Sequence, residues 1–560
     1  MAIEWLIEPM ATHGRDRPAD SGSSAQLRPP AIATRAAWPE VSAAGSAGRP
    51  GMPGGTGLST EDYAGRIAEE VGRTWRRMGS IWPGTDFAGL VPLIVNRDAA
   101  YEIRSDGSLT ARPPGELDQG PLLTGRFPGF GFTRHRGAHA PWLEVPAGSL
   151  GSAGTAGEYR AFPRATLGFA VLTHEAFHYY VQTGWRDLGR PSPTLERYPQ
   201  DIEARQLRVE MWLALRRALL APEDQDRQLA AAAWWYQEWK GRCPDEVARI
   251  VDVEVREATA HFVDEAATTR AALGPDAPRA TIDRGHRRLV ELDFDIAEVY
   301  RGTVTCEAHH AGALACMLLD RLGHPMWQWD AEDGVPPLES LLGPRTGTPR
   351  RPGAEAEGIL DRSVRARQRR TRPPMEQLLH RLATRGSLFL VFEGLPASDG
   401  AFRSSGAYRV DGFPGLVFLP AVSGTFRLGD GGVSLRSAAL VAGLGGAPCA
   451  VSHAALALPI PELAGPFGDR LTFRTGQAEV DVAIERVEAD GEGRVLLCAA
   501  TPAGRARRCA ATRRGSCRAA DTTWCRRAFV VISRRDSQNT GIAPGTGTGA
   551  GTVGRGSPNP

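Results

Sequence analysis

The segment 174–178, with the sequence HEAFH, constrains this chain more than any other feature. Its two imidazoles can act together only on a helix, where residues four apart lie on one face with Cβ atoms about 5–6 Å apart. The apolar run Leu167–Thr173 leads into the segment, and Gly184 supplies a stop signal after it. We therefore expect a helix that presents His174 and His178 side by side.

Two imidazoles on one helix face can bind a single metal ion, and Zn²⁺ is the ion for which this spacing is typical. Glu175 lies beside the first imidazole, where it can take a proton from a water molecule whose pKa zinc lowers to about 7. The pattern predicts a metallohydrolase that cleaves peptide bonds, with His174 and His178 as zinc ligands and Glu175 as general base. The competing interpretation is a metal-free core helix with two packed histidines and a surface glutamate.

Composition limits the class of protein. A chain of 560 residues is long enough for two or more domains, and 42% apolar residues without any run that approaches a membrane span are typical of a soluble protein. The net charge of +2 gives no global support for nucleic-acid binding, so the expected partner is a peptide or protein substrate. The first residues do not resemble a secretory signal, which makes a cytoplasmic location the default prediction. The eight cysteines lack the spacing of a zinc ribbon and are expected to be free thiols.

Changes in composition along the chain predict an α+β protein with five segments. Residues 1–60 have the composition of a disordered leader, and residues 61–343 are expected to form a mainly helical catalytic domain that begins with a small sheet. An Arg- and Pro-rich linker is predicted over 344–374. Apolar and alternating runs separated by Gly-rich turns predict a β-rich accessory domain over 375–535, and residues 536–560 resemble a disordered tail.

Periodicity places individual elements within this plan. Buried strands are expected near Leu90–Val95 and Trp142–Pro146, and a strand ahead of the metal helix would suit an extended peptide that pairs with the sheet edge. The helices predicted after Gly184 cover Gln200–Leu220, Asp226–Lys240, Asp245–Ala267 and Ile296–Leu322.

A hydrolytic zinc site needs a third protein ligand, with water in the fourth position. No histidine follows in the extended pattern that would supply it, which leaves a downstream glutamate. Glu203 falls in the first turn of a predicted helix, where the helix dipole favours an acid without any metal. Glu210 shares a helix face with apolar residues, where a carboxylate requires a partner. Glu257 lies in a helix with small neighbours that permit close packing, and spacing alone does not separate these three.

The helix with HEAFH and the later segment EATAHF, at 257–262, resemble the gluzincin branch of zinc metallopeptidases. More loosely, residues from about 82 to 342 are similar to uncharacterised bacterial zincin-like proteins. The resemblance implies a zincin-like catalytic domain in which Glu257 is the third zinc ligand. Ala258 stands where this family usually has glycine and Phe262 where it often has tyrosine, so no tyrosine hydroxyl is implied at that position.

Other polar and aromatic residues carry weaker signals. Gly137 and Pro141 place His135 and His139 in a loop at the surface. The adjacent His309 and His310 point in different directions on a helix and are not expected to share a metal ion.

Tyr179 and Tyr180 follow the second histidine, where aromatic packing is expected, although either hydroxyl could donate to an oxyanion. Asp252 and Glu254 are candidates for holding the far nitrogen of a ligand histidine. The alternative function is a catalytically inactive zincin-like protein that acts as a binding or structural module.

Overall fold

The computed structural model describes most of the chain between Ser59 and Ala499. The described residues are 59–96, 98–117, 130–145, 160–162, 165–186, 196–294, 304–392, 403–404, 406–428, 431–443, 456–460, 469–490 and 492–499. The predicted tail, nearly all of the predicted leader and the predicted accessory domain beyond residue 499 lie outside these residues. The described part is α+β, with two sheets and a large helical core.

The first sheet has five strands in the order β3-β2-β1-β5-β4. Its strands are β1 (Leu93–Val95), β2 (Ala100–Ile103), β3 (Leu109–Arg112), β4 (Phe130–His135) and β5 (Ala138–Glu144). The pair β1–β5 is parallel and the other pairs are antiparallel. Strands β1 and β5 confirm the two buried strands expected from the sequence, and β4 is an edge strand. Helix α1 (Thr60–Thr74), which a 3₁₀ turn extends over Trp75–Ser80, precedes the sheet.

Helix α2 (Leu167–Tyr180), the helix that carries HEAFH, packs against the first sheet, α1 and the helix Thr259–Leu273. Every residue of α2 from Gly168 to Phe177 is buried, which is typical of a helix at the centre of a core. The other helices of this region are α3 (Ile202–Leu220), α4 (Gln225–Arg242), α5 (Pro244–Val253), α6 (Thr259–Leu273), α7 (Arg279–Leu292), α8 (Val304–Leu322), α9 (Trp327–Glu332) and α10 (Pro337–Leu342). A π turn over Glu254–Ala258 joins α5 to α6.

The predicted linker over 344–374 is wrong, because most of this stretch is helical. Helix α11 (Ala354–Leu360), a π turn over Asp361–Arg365 and helix α12 (Ala366–Ala383) follow one another without a break. Arginine is a good helix former, and the apolar residues between the arginines recur at helical spacing. Ala356, Ile359 and Leu360 are buried in the helical core, whereas Met375 and Leu378 are buried against the second sheet.

The second sheet has ten strands, and nine of them, β7 to β15, come from residues 388–499. Its strands are β6 (Glu196–Tyr198), β7 (Leu388–Phe392), β8 (Arg403–Ser404), β9 (Tyr408–Val410), β10 (Val417–Leu428), β11 (Gly431–Ala442), β12 (Leu456–Pro459), β13 (Arg470–Arg474), β14 (Ala478–Ala489) and β15 (Val495–Ala499). The order is β13-β14-β15-β7-β12-β11-β10-β9-β6, with β8 on β10, and a further pairing of β14 with β11 closes a ring of five strands. Strand β6 comes from the helical region, so the two regions share a sheet.

The surface loop predicted for His135 and His139 is wrong. His135 and His139 lie in the strands of the β4–β5 hairpin rather than in a surface loop, because the turn is confined to Arg136 and Gly137. His135 is buried, and its Nε2 lies 2.6 Å from Glu102 Oε1.

Among the described cysteines, Cys243, Cys306 and Cys316 form no disulfide, as predicted, but Cys498 is disulfide-bonded. Spacing along the chain does not show which cysteines meet in space. Because disulfides persist mainly in oxidising compartments, this bond does not support the cytoplasmic location, which stays a prediction. None of the helices in the described residues is long and apolar enough to cross a membrane.

Candidate metal centre

Helix α2 brings the two histidines together. Thr166 precedes its first residue, and the Thr166 side chain caps the helix by accepting a hydrogen bond from the N–H of Phe169. His174 and His178 lie one turn apart, and their Nε2 atoms are 2.9 Å from each other. Both lone-pair positions therefore face the same small volume.

Glu257 reaches this volume from the π turn between α5 and α6. Its Oε2 atom lies 3.4 Å from His174 Nε2 and 3.2 Å from His178 Nε2. Ligands about 2.0–2.1 Å from a tetrahedral Zn²⁺ are about 3.3 Å from one another, so these separations suit a zinc ligand set. Two imidazoles and one carboxylate are also the donor set of many hydrolytic zinc sites. The three residues fit the metal that the sequence pattern implies.

The far nitrogen of each histidine is held by an acceptor. His174 Nδ1 lies 2.8 Å from Oδ2 of the buried Asp264 on α6, and His178 Nδ1 lies 2.7 Å from Gln182 Oε1. Gln182 is itself fixed, since its Nε2 donates to the carbonyl of Arg256 and to Thr259 Oγ1. When Nδ1 carries the proton, Nε2 keeps its lone pair for a metal. These two residues, and not the predicted Asp252 and Glu254, orient the imidazoles.

The local charges favour a cation. Burial lowers the pKa of His174, but Asp264 and Glu257 outweigh that effect and raise this pKa to about 10. Burial likewise opposes ionisation of Glu257, yet His178 and His174 hold its pKa well below the usual value. Burial raises the pKa of Glu175, and the two imidazoles partly offset the increase. The carboxylates thus stabilise a positive charge at the point where the three side chains meet.

The two competing glutamates lie elsewhere. Glu210 Oε1 accepts a hydrogen bond from the backbone N–H of Gly353, and the exposed Glu203 pairs with Arg242. Glu254 is buried and accepts a 2.8 Å hydrogen bond from the N–H of Leu338. Each of these carboxylates therefore has a structural partner away from the histidine pair.

Sequence reasoning missed two features of the site. His309 on α8 faces Glu257, with its Nε2 atom 3.6 Å from Oε2. Its adjacency to His310 gave no indication of this contact, because the two side chains point in different directions on the helix. Asp264 also lies beside His261, whose Nδ1 is 3.4 Å from Asp264 Oδ1. His261, Asp264 and Glu265 form a second buried group behind the first. The spacing of Asp264 in the helix after Glu257 gave no signal that it would reach His174.

Comparison of the chain with protein-family models, with curated proteins and with solved structures found no match in any of the three. The resemblance to gluzincins therefore depends on the sequence pattern alone and stays a prediction.

Proposed function

We propose that this protein is a zinc-dependent metallopeptidase with a zincin-like catalytic region. The observation that carries the proposal is the convergence of His174 Nε2, His178 Nε2 and Glu257 Oε2, all within 3.4 Å of one another. Asp264 and Gln182 support it, because both imidazoles are already oriented for a metal.

His174, His178 and Glu257 would hold the ion. When bound, zinc supplies a Lewis acid that polarises a carbonyl group and acidifies water. Glu175 follows His174 directly in α2, and its raised pKa suits a carboxylate that accepts a proton from water and later returns it to the leaving amine. Burial of Glu175 restricts its contact with bulk water, so the proton it accepts is retained for that second step.

Edge strand β4 supports a peptide as the substrate. It lies next to α2, since Phe132 of β4 stacks on Tyr179 with ring centroids 4.4 Å apart. An extended peptide can add to the edge of a sheet through main-chain hydrogen bonds, which requires no particular side chains. This arrangement would hold a peptide bond near the histidine pair.

The test compares the wild type with Glu175→Gln and Glu257→Gln for bound zinc and for hydrolysis of a quenched peptide library. We expect one zinc ion per chain in the wild type, and retention of zinc with a rate reduced about 10²–10⁴-fold in Glu175→Gln. Glu257→Gln should lose both zinc and activity, because an amide is a poor ligand. Cleavage that survives Glu175→Gln would contradict the mechanism. Stoichiometric zinc without turnover would favour the non-catalytic alternative.

A further inference from the structure

A continuous aromatic surface lies beside the candidate metal centre. Phe132 stacks on Tyr179, with ring planes 5° apart, and its centroid is 5.6 Å from that of His139. The His139 ring lies 6.4 Å from the ring of Tyr180, which contacts Phe87 at 6.2 Å. We call Phe132, His139, Tyr179 and Tyr180 the aromatic surface.

This surface is accessible to a ligand. The side chains of Phe132, His139 and Tyr179 are partly exposed, and Tyr180 is 45% exposed. A large aromatic side chain left in water forgoes the free energy of burial, so a group of such rings marks a place where another apolar group can bind. Helix geometry relates the surface to the chemistry, because Tyr179 lies one turn after Glu175 on the same face of α2.

Strand β4 determines how a ligand would meet the surface. No strand in the described residues pairs with the outer edge of β4, which ends its sheet. Side chains alternate along a strand, so Phe132 points towards α2 while the neighbouring Thr133 points to the other face. In a peptide paired with β4, every second side chain would point in the same direction as Phe132.

We propose that the aromatic surface is a specificity subsite that accepts one large apolar or aromatic side chain of an extended peptide. The proposal rests on the proposed peptidase function, and it adds the class of substrate. Tyr180 forms the exposed side of the subsite, and Phe132 with Tyr179 forms its floor. A polar side chain at that position of the peptide would add little binding free energy, because its polar atoms would lie against apolar rings.

The experiment measures binding, so that it does not depend on turnover. The zinc-loaded Glu175→Gln protein is titrated into labelled, blocked decapeptides of Ala, Gln and Lys that carry a single Phe at each position in turn. Matched peptides carry Ser in place of Phe. Four proteins are compared: Glu175→Gln alone, and Glu175→Gln combined with Tyr180→Ala, Tyr180→Phe or Trp329→Ala. Trp329 is the control because it is similarly exposed, at 47%, and belongs to α9 rather than to α2 or the first sheet.

We expect Phe to strengthen binding about tenfold over Ser at one position of the peptide, the effect of burying one aromatic side chain. Tyr180→Ala should remove most of that preference, while Tyr180→Phe and Trp329→Ala should retain it. Equal binding of Phe and Ser peptides, no binding of any peptide, or a preference that survives Tyr180→Ala would overturn the proposal. If the preference is found but the wild type cleaves nothing, the subsite stands and the proposed hydrolysis fails. If the wild type cleaves peptides with no preference for Phe, the proposed hydrolysis stands and the proposed subsite fails.

Discussion

At the scale of single residues, the candidate metal centre depends on side chains that do not face the metal position. Gln182 accepts a hydrogen bond from His178 and donates to the backbone of the turn that carries Glu257. It therefore fixes one ligand directly and helps to place another. Residues with this role commonly contribute 10–100-fold to metal affinity, although they never contact the ion.

Gln182→Met should weaken zinc binding about 10–100-fold, because methionine has a similar volume but lacks the amide oxygen that accepts from His178. Competition with a chromogenic chelator measures the affinity. Gln228→Met, which removes a partly buried contact with Asp224 far along the chain on α4, is the matched control and should leave zinc binding unchanged. An unaltered affinity in Gln182→Met would show that His178 is oriented by something else.

Glu70 gives a pH-dependent prediction at the same scale. This buried carboxylate of α1 accepts two hydrogen bonds from Thr166, at 2.9 Å from its N–H and 2.6 Å from its hydroxyl. Burial raises the pKa of Glu70 from 4.5 to about 7, although both hydrogen bonds lower it. The folded state therefore favours the protonated acid, and the stability it contributes at low pH is lost as pH rises from about 4.5 to 7.

We expect the free energy of unfolding to include a decrease of about 2–3 kcal/mol over that pH range. Glu70→Gln should abolish that part of the decrease, because the amide stays neutral. Urea unfolding at pH 5 and pH 8 provides the measurement. The neighbouring Glu69→Gln, a change in an exposed side chain, should behave like the wild type. Identical pH profiles for Glu70→Gln and the wild type would exclude Glu70 as the cause of the decrease in stability.

At the scale of elements, the close crossing of α8 and the π turn positions Glu257. A Cβ atom added to Gly312 of α8 would lie 2.4 Å from the Cβ of Ala258, well inside contact distance. Only glycine at 312 lets the two segments approach in this way. Because Ala258 follows Glu257, a displacement of the π turn would move the carboxylate away from the histidine pair.

Gly312→Ala should lower the free energy of unfolding by about 1–3 kcal/mol, the cost of overpacking, and should weaken zinc binding. The matched control is Gly65→Ala in α1, where no heavy atom lies within 4 Å of the added Cβ. Alanine is the better helix former, so this control should raise stability by about 0.5–1 kcal/mol. Chemical denaturation and chelator competition measure both quantities. If Gly312→Ala is destabilised but its zinc affinity is unchanged, the close crossing stabilises the fold without positioning Glu257 for zinc.

Part of the candidate site could be predicted from helical spacing in the sequence, and part could not. Helical spacing placed His174 and His178 together, and it gave α3 and α4 to within two residues at each end. It did not separate Glu257 from Glu210, because a π turn changes which face a residue presents and leaves no mark in the periodicity. The partner of Glu210 is a backbone N–H 143 residues later in the chain, a contact that no local pattern encodes.

At the scale of the whole molecule, a buried ionic network joins the helical region to the β-rich region. Glu196 of β6 lies 2.7 Å from Arg367 of α12 and 3.0 Å from Arg205 of α3. Composition predicted a linker over 344–374 because it depends on the number of arginines in a segment and not on which of them are buried. Arg367 is buried, whereas Arg372 on the same helix is exposed and pairs with Glu376.

Arg367→Met should therefore destabilise the protein by about 3–5 kcal/mol at neutral pH, since it leaves Glu196 buried with only part of its counter-charge. The exposed equivalent, Arg372→Met, should cost no more than about 1 kcal/mol.

Burial opposes ionisation of Glu196, but Arg367 and Arg205 hold its pKa below 4.5. Stability from this network is thus present above pH 4.5 and lost as pH falls below it. Urea unfolding of both variants at pH 7 and pH 4 is the measurement, and the deficit of Arg367→Met should shrink at the lower pH. A deficit that stays constant would mean that Arg367 stabilises the contact between the regions through packing of its apolar stem.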